Sequence, residues 1–165
     1  MTPATPILPS GVVPFPRGFT FGADGRVILA SGIVPGGEGD NSISVLSWKG
    51  RFVRSSLIAD PKLSPLDVLR SPNGTILVSS ECPFDAPDAV TSIREYDVLR
   101  GDLVRVFWPG KEVSFRKPRG LRFGPDGNLY CVAEEAVVSF DFRSGKCLGR
   151  VLYWPRLNGQ ALGKV

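Results

Sequence analysis

Hydrophobic residues in this 165-residue chain fall into short runs separated by glycine-rich turns, and one arrangement of them recurs three times without a gap. Arg17 to Ser31 reads RGFTFGADGRVILAS, Leu66 to Ser80 reads LDVLRSPNGTILVSS, and Arg119 to Ala133 reads RGLRFGPDGNLYCVA. In each, two apolar-rich runs flank a turn centred on Asp24-Gly25, Asn73-Gly74 or Asp126-Gly127. Asp-Gly and Asn-Gly tolerate the positive φ that tight hairpin turns need, so each segment predicts a β-hairpin. The turns recur at intervals of about 50 residues, the spacing of propeller repeats.

Two more strand-like runs follow each hairpin. They are Ser42–Leu46 and Arg51–Ile58 in the first unit, Ser92–Tyr96 and Leu103–Phe107 in the second, and Val137–Asp141 and Leu148–Leu152 in the third. Four short antiparallel strands per repeat describe the blade of a β-propeller. A β-sandwich of short strands would share the even spacing, but nothing in a sandwich requires one strand-turn-strand sequence to recur in register. The expected fold is therefore all-β, a single domain of three blades at about 17–63, 64–117 and 118–157, with 1–16 and 158–165 as end segments. Three blades make half of a six-bladed ring and leave two blade faces bare. A homodimer that closes the ring is the expected remedy.

Composition narrows the chemistry. Gly (19) and Pro (15) suit a turn-rich fold, and the absence of His excludes Ser-His-Asp and Cys-His catalytic units and every His-ligated metal site. Lys and Arg exceed Asp and Glu by 20 to 16, a net charge of +4 without a run of like charges, so nucleic acid is an unexpected partner. Cys82, Cys131 and Cys147 form no C-x-x-C pair and signal neither a disulfide framework nor zinc. Cys131 and Cys147 lie in predicted strands as small apolar residues, and Cys82 begins a loop. Phe19, Phe21, Phe123, Tyr130 and Phe140 are expected in the core, with Trp48, Trp108 and Trp154 at strand ends. The first ten residues, MTPATPILPS, lack the basic start and apolar stretch of a secretory signal. The expected location is cytoplasmic, with no membrane partner.

The segment Pro118 to Ala133, PRGLRFGPDGNLYCVA, followed by Val137–Asp141, resembles an NHL repeat and the strand pairs of SMP-30/gluconolactonase-like six-bladed propellers. Pro16-Arg17-Gly18 opens the first unit in the same way. The resemblance implies a propeller fold and leaves function open, because such propellers include binding modules, lactone hydrolases and lyases. The hydrolases hold a divalent cation with Glu, Asn and Asp side chains at the starts of inner strands. Here those positions carry Arg17, Leu66-Asp67 and Arg119, and of these only Asp67 offers oxygen ligands. The lyases need a His, which this chain lacks.

A site is expected on the face carrying the loops from strand two to strand three, at the channel mouth. Gly32–Asn41 and Glu81–Ala89 are long there, and Glu134-Glu135-Ala136 is short. Unequal insertions on one face of a repeat array are where binding surfaces are built. The ligand-binding candidates are Arg17, Asp67, Glu81, Arg119 and Glu134. Glu38, Asp40, Asp85 and Asp88 add loop carboxylates. Asp67, Glu81 and Glu134 are the candidate metal ligands for Ca²⁺ or a similar hard cation, the alternative being that they pair with the neighbouring arginines. In a dimer Arg17 and Arg119 would present four guanidinium groups at one opening, suited to an anionic ligand.

The leading reading is a non-enzymatic binding or scaffolding module for a peptide, protein or small ligand, with no cofactor. One alternative is a Ca²⁺-dependent lactonase-type hydrolase, and a second, implied by the NHL resemblance, is RNA binding.

Overall fold

The computed structural model of the chain describes residues 13, 15–32, 41–58, 60, 62–81 and 91–153. Its organisation begins at the three hairpin turns. Gly25, Gly74 and Gly127 sit at φ of +75°, +86° and +75°, a region costly for a residue with a Cβ. Each donates its N–H to the carbonyl of Gly22, Ser71 or Gly124. Side chains brace the same turns: Asp24 Oδ1 accepts from the Arg26 N–H, Ser71 Oγ from that of Asn73, and Asp126 Oδ1 from that of Asn128.

Twelve strands result, and no helix is assigned among the described residues. Blade 1 is β1 (Pro16–Phe21), β2 (Val27–Ser31), β3 (Ile43–Leu46) and β4 (Phe52–Ile58). Blade 2 is β5 (Pro65–Arg70), β6 (Ile76–Ser80), β7 (Ser92–Tyr96) and β8 (Leu103–Phe107). Blade 3 is β9 (Arg119–Phe123), β10 (Leu129–Val132), β11 (Ala136–Phe140) and β12 (Cys147–Tyr153). Each blade is a four-stranded antiparallel sheet in simple meander order. The first strands are innermost, β1 packing on β5 and β5 on β9. The fourth strands form the outer edges and are largely exposed.

Strand alternation sends one face of each central strand to the preceding blade and the other to the next. Two apolar layers follow. Ile28, Ala30, Ile43, Val45 and Leu57 of blade 1 meet Val68, Ile76, Val78 and Tyr96 of blade 2. Leu77, Ile93 and Phe107 of blade 2 meet Leu121, Leu129, Cys131, Val138 and Phe140 of blade 3. Burying each large side chain contributes about 1.5–3 kcal/mol, so the interblade layers dominate stability.

One expectation needs correction. Phe19 and Phe21, expected in the core, are each 59% exposed. They share the face of blade 1 that points away from blade 2, paired across the hairpin with Leu29 and Val27, and no described blade covers it. At the centre of blade 2, β7 buries two charged residues, Arg94 and Glu95. Arg94 reaches Asp60, in the link from β4 to β5, and Tyr96 Oη donates to the same carboxylate at 2.8 Å. Glu95 accepts from Arg105 Nε and from Thr75 Oγ1. Buried charges are tolerated because each is paired.

Candidate functional site

Each inner strand enters the sheet at the channel mouth through an irregular step. Pro16-Arg17-Gly18, Pro65-Leu66-Asp67 and Pro118-Arg119-Gly120 occupy equivalent places, and the pairing register shifts within or opposite each. A bulge of this kind turns side chains toward the rim. Here it gathers Arg17, Leu66, Asp67, Glu81, Arg119 and Gly120 around a predominantly polar bowl of about 560 Å³. Four of the five side chains singled out in the sequence therefore line one concavity.

Asp67 stands where the other two blades have glycine, and its carboxylate is used as a staple. Oδ2 accepts from the Leu121 N–H of blade 3 at 2.8 Å, and Oδ1 accepts from the Val68 N–H at 2.9 Å. On the blade 1 side the Gly18 Cα lies against it: a Cβ at position 18 would come within 2.7 Å of the Asp67 Cα. Three blades thus meet at one aspartate. The Arg122 guanidinium, 3.9 Å from Oδ2, balances its charge.

Glu81 and Glu134 stand at equivalent places, as their spacing from the hairpin turns requires. Each donates its N–H to a carbonyl just before an inner strand, Ser64 for Glu81 and Arg116 for Glu134. Their side chains part company. Glu134 is held by Lys117 Nζ at 3.1 Å and faces Arg116 Nε at 3.7 Å, and it is not among the residues that line the bowl. Glu81 lines the bowl, and among the described residues its carboxylate has no hydrogen-bond or ion-pair partner.

The arginines differ likewise. The Arg17 side chain lies over Gly32, where a Cβ would meet its Nε, and it has a partner. Arg119 is exposed at the rim, and its guanidinium has no partner among the described residues. Among the described residues the bowl therefore presents one available cation and one available anion.

Among the described residues the donor set does not form a cation site. Both Asp67 oxygens accept backbone N–H bonds, Glu134 is paired with Lys117, and among the described residues no three His, Cys, Asp or Glu side chains are grouped to hold a metal ion. Asp67, Glu81 and Glu134 are thus not assembled as metal ligands. Glu38, Asp40, Cys82, Asp85, Asp88, Trp154 and most of both end segments lie outside the described residues. Burial pushes the Cys131 thiol up, away from thiolate formation at neutral pH, and its Sγ lies within weak hydrogen-bond reach of the Arg119 and Val132 carbonyls. Among the described residues no helix is long and apolar enough to cross a membrane.

The sequence reading missed two polar groupings. One is the Asp67 staple, which the substitution of Asp for Gly in the PRG, PLD, PRG alignment signals. The other is the Asp60–Arg94–Tyr96 group, for which an Arg-Glu pair inside a predicted central strand is the only sign.

No family model and no curated protein sequence matches the chain. Solved structures do. A protein of unknown function from Bacteroides caccae is 16% identical, with a TM-score of 0.56 over 82% of this chain and 45% of that one. Virginiamycin B lyase from Staphylococcus aureus is 16% identical, with a TM-score of 0.51 over 78% of this chain and 39% of the lyase. The extracellular domain of BT4673 from B. thetaiotaomicron is 8% identical, with a TM-score of 0.58 over 87% of this chain and 18% of that one. These likenesses establish a β-propeller-type fold, and the chain spans less than half the length of each of the three.

Proposed function

We propose that this chain is a non-enzymatic binding module that takes an acidic peptide at the channel mouth, in a propeller of the NHL and SMP-30 type. The observation that carries the reading is the polar bowl in which, among the described residues, Arg119 and Glu81 stand without partners while Asp67 is fixed between blades. An anionic side chain would pair with Arg119, and a peptide N–H would donate to Glu81. The bowl holds both a cation and an anion, which favours a ligand with both acceptors and donors over a bare phosphate. A catalytically inactive form of virginiamycin B lyase, solved with quinupristin, carries a histidine-to-alanine replacement. This chain has no His, so the lyase chemistry is not carried over to it.

Ring closure by a second copy belongs to the same proposal. It is supported by the bare apolar surface at both ends of the array: Phe19 and Phe21 on blade 1, and Val132 and Leu152 on blade 3, which share a face through the Val132–Val137–Leu152 register. Light scattering over a dilution series then reads twice the 17.8 kDa of one chain. A folded species that stays at 17.8 kDa throughout contradicts closure by a second copy.

The binding reading is tested with a panel of acidic, neutral and basic hexapeptides titrated calorimetrically. Acidic members bind, and Arg119→Ala weakens them about tenfold, the loss of one charge-assisted contact. Equal affinity for basic members, or an unchanged affinity in Arg119→Ala, overturns it.

A further inference from the structure

At the opposite end of the blades from the channel mouth, a second concavity of about 420 Å³ lies between blades 1 and 2. Its walls are mainly apolar, from Ile28, Val45, Val53, Leu57, Val98 and Leu99. Arg26, Arg54 and Arg70 also line it, against a single carboxylate, Asp24.

The repeat explains why this groove is open. Between blades 2 and 3 the equivalent space is filled by aromatic rings. Phe142 stacks on Phe107 at 6.0 Å and meets Phe123 edge-on at 4.9 Å, with the Arg105 guanidinium over Phe107 and Phe142. Strand register identifies the counterparts between blades 1 and 2. Arg70 pairs with Ile76 as Phe123 pairs with Leu129, and Ile58 pairs with Ile43 as Phe107 pairs with Ile93. Val98 follows Asp97 as Phe142 follows Asp141, each in a turn closed by the same backbone bond, from Gly101 to Asp97 and from Gly145 to Asp141. Three rings are thus replaced by an isoleucine, a valine and an arginine.

The three arginines are not equivalent. Arg26 pairs with Asp24 at 3.2 Å. Arg54 is fixed by the Leu99 and Arg100 carbonyls at 2.9 and 3.4 Å, as Arg105 is fixed by the Arg143 carbonyl. Arg70 engages only its backbone, whose N–H donates to Thr20 Oγ1, and among the described residues its guanidinium has no partner.

We infer that the groove between blades 1 and 2 binds a small amphipathic organic anion, an apolar ring system bearing one carboxylate, sulfonate or phosphate. Its apolar body takes the volume that Phe123 and Phe142 fill in the neighbouring interface, and its charge meets Arg70. A cavity of this size with apolar walls and one or two directed polar groups has the general make-up of a small-ligand site. The inference is independent of the channel-mouth proposal, because the two concavities share no residue.

The probe is 8-anilinonaphthalene-1-sulfonate, with N-phenyl-1-naphthylamine as its neutral counterpart. Amide shift mapping on the whole chain locates the probe, and fluorescence titration gives its affinity. The expected result is saturable binding that shifts Gly22, Gly74, Val98 and Leu99. Arg70→Gln weakens the sulfonate about tenfold and leaves the neutral probe unchanged. The double substitution Arg70→Phe/Val98→Phe, which restores the rings of the other interface, abolishes both. Shifts confined to the bare blade faces around Phe19 and Phe21, or no saturable binding, overturn the inference. So does equal weakening of both probes by Arg70→Gln, and that comparison decides the matter even if the filled variant does not fold.

Discussion

The two interblade layers of this molecule are built on one backbone plan and closed by different chemistry. Between blades 2 and 3, Phe107, Phe115, Phe123, Phe140 and Phe142 form a continuous aromatic packing. Between blades 1 and 2 the packing is mainly aliphatic with Tyr96 as its one buried ring among the described residues, an ion pair between Arg94 and Asp60 closes one part of it, and an apolar groove stays open at the hairpin-turn end. A repeat fixes where side chains project, and residue volume at each position then decides whether an interface is a seam or a site. The difference is legible position by position: Phe123 against Arg70, Phe142 against Val98, Phe107 against Ile58.

Breaking the aromatic seam has the largest expected effect. Phe107→Ala removes a fully buried ring from between Phe140 and Phe142 and costs about 3–5 kcal/mol. Val98→Ala, beside the open groove, costs less than about 1 kcal/mol because the lost methyl groups already border open space. Urea unfolding of both variants measures the contrast, and equal losses remove it.

Next in size is the polar closure of the first interface. Asp60→Asn leaves Arg94 buried without its counter-charge, at a cost of about 3 kcal/mol. Burial pushes the Asp60 carboxyl up, but the Lys62 N–H, the Tyr96 hydroxyl and Arg94 outweigh it, and the net effect holds it below its ordinary value. A carboxyl depressed in the folded state contributes stability above its unfolded value, near 3.8, that is lost as pH falls through the folded value. Asp126, lowered chiefly by the Tyr130 hydroxyl, and Asp141, lowered chiefly by Ser144, act in the same direction. Unfolding free energy therefore declines below about pH 4 in the native chain. The decline is shallower in Asp60→Asn, and an identical pH profile in the two proteins contradicts this assignment.

Asp67→Ala has a smaller effect, about 1–2 kcal/mol, because it leaves the Leu121 N–H without its acceptor in the second interface. Hydrogen exchange at Leu121 accelerates in this variant ahead of exchange at Ile76, in the first interface. Uniform acceleration shows instead that Asp67 does not act locally. The smallest expected change is a gain: Val98→Phe fills part of the groove and raises the unfolding midpoint by the equivalent of about 1 kcal/mol. A loss in this variant means that the groove cannot take a ring.

The hairpins and central strands were legible because their causes are local. Asp24-Gly25, Asn73-Gly74 and Asp126-Gly127 carry the turn conformation in their own covalent structure, and the apolar runs beside them are short enough to be strands. Burial was less legible, because it depends on what lies across the interface. Phe19 and Phe21 carry the same strand signal as Phe123, yet the first two are exposed and the third packs on Phe142. The candidate site divides along the same line. Arg17, Asp67, Glu81 and Arg119 follow from register alone, since the start of each inner strand and the end of the second strand beside it reach the channel mouth. The fate of Glu134 does not, because it depends on Lys117, a non-glycine residue at φ +47° that places its ammonium beside that carboxylate. The role of Asp67 as a staple depends in the same way on the Leu121 N–H of another blade.

The most direct test of the binding account is an amide shift map of the isotope-labelled chain titrated with a Glu-rich hexapeptide. The account predicts shifts that saturate and cluster at Leu66, Asp67, Glu81, Arg119 and Gly120, and that vanish in Arg119→Ala while the rest of the spectrum is preserved. Shifts that gather at the hairpin turns or the outer strands, with the channel mouth unmoved, would contradict it.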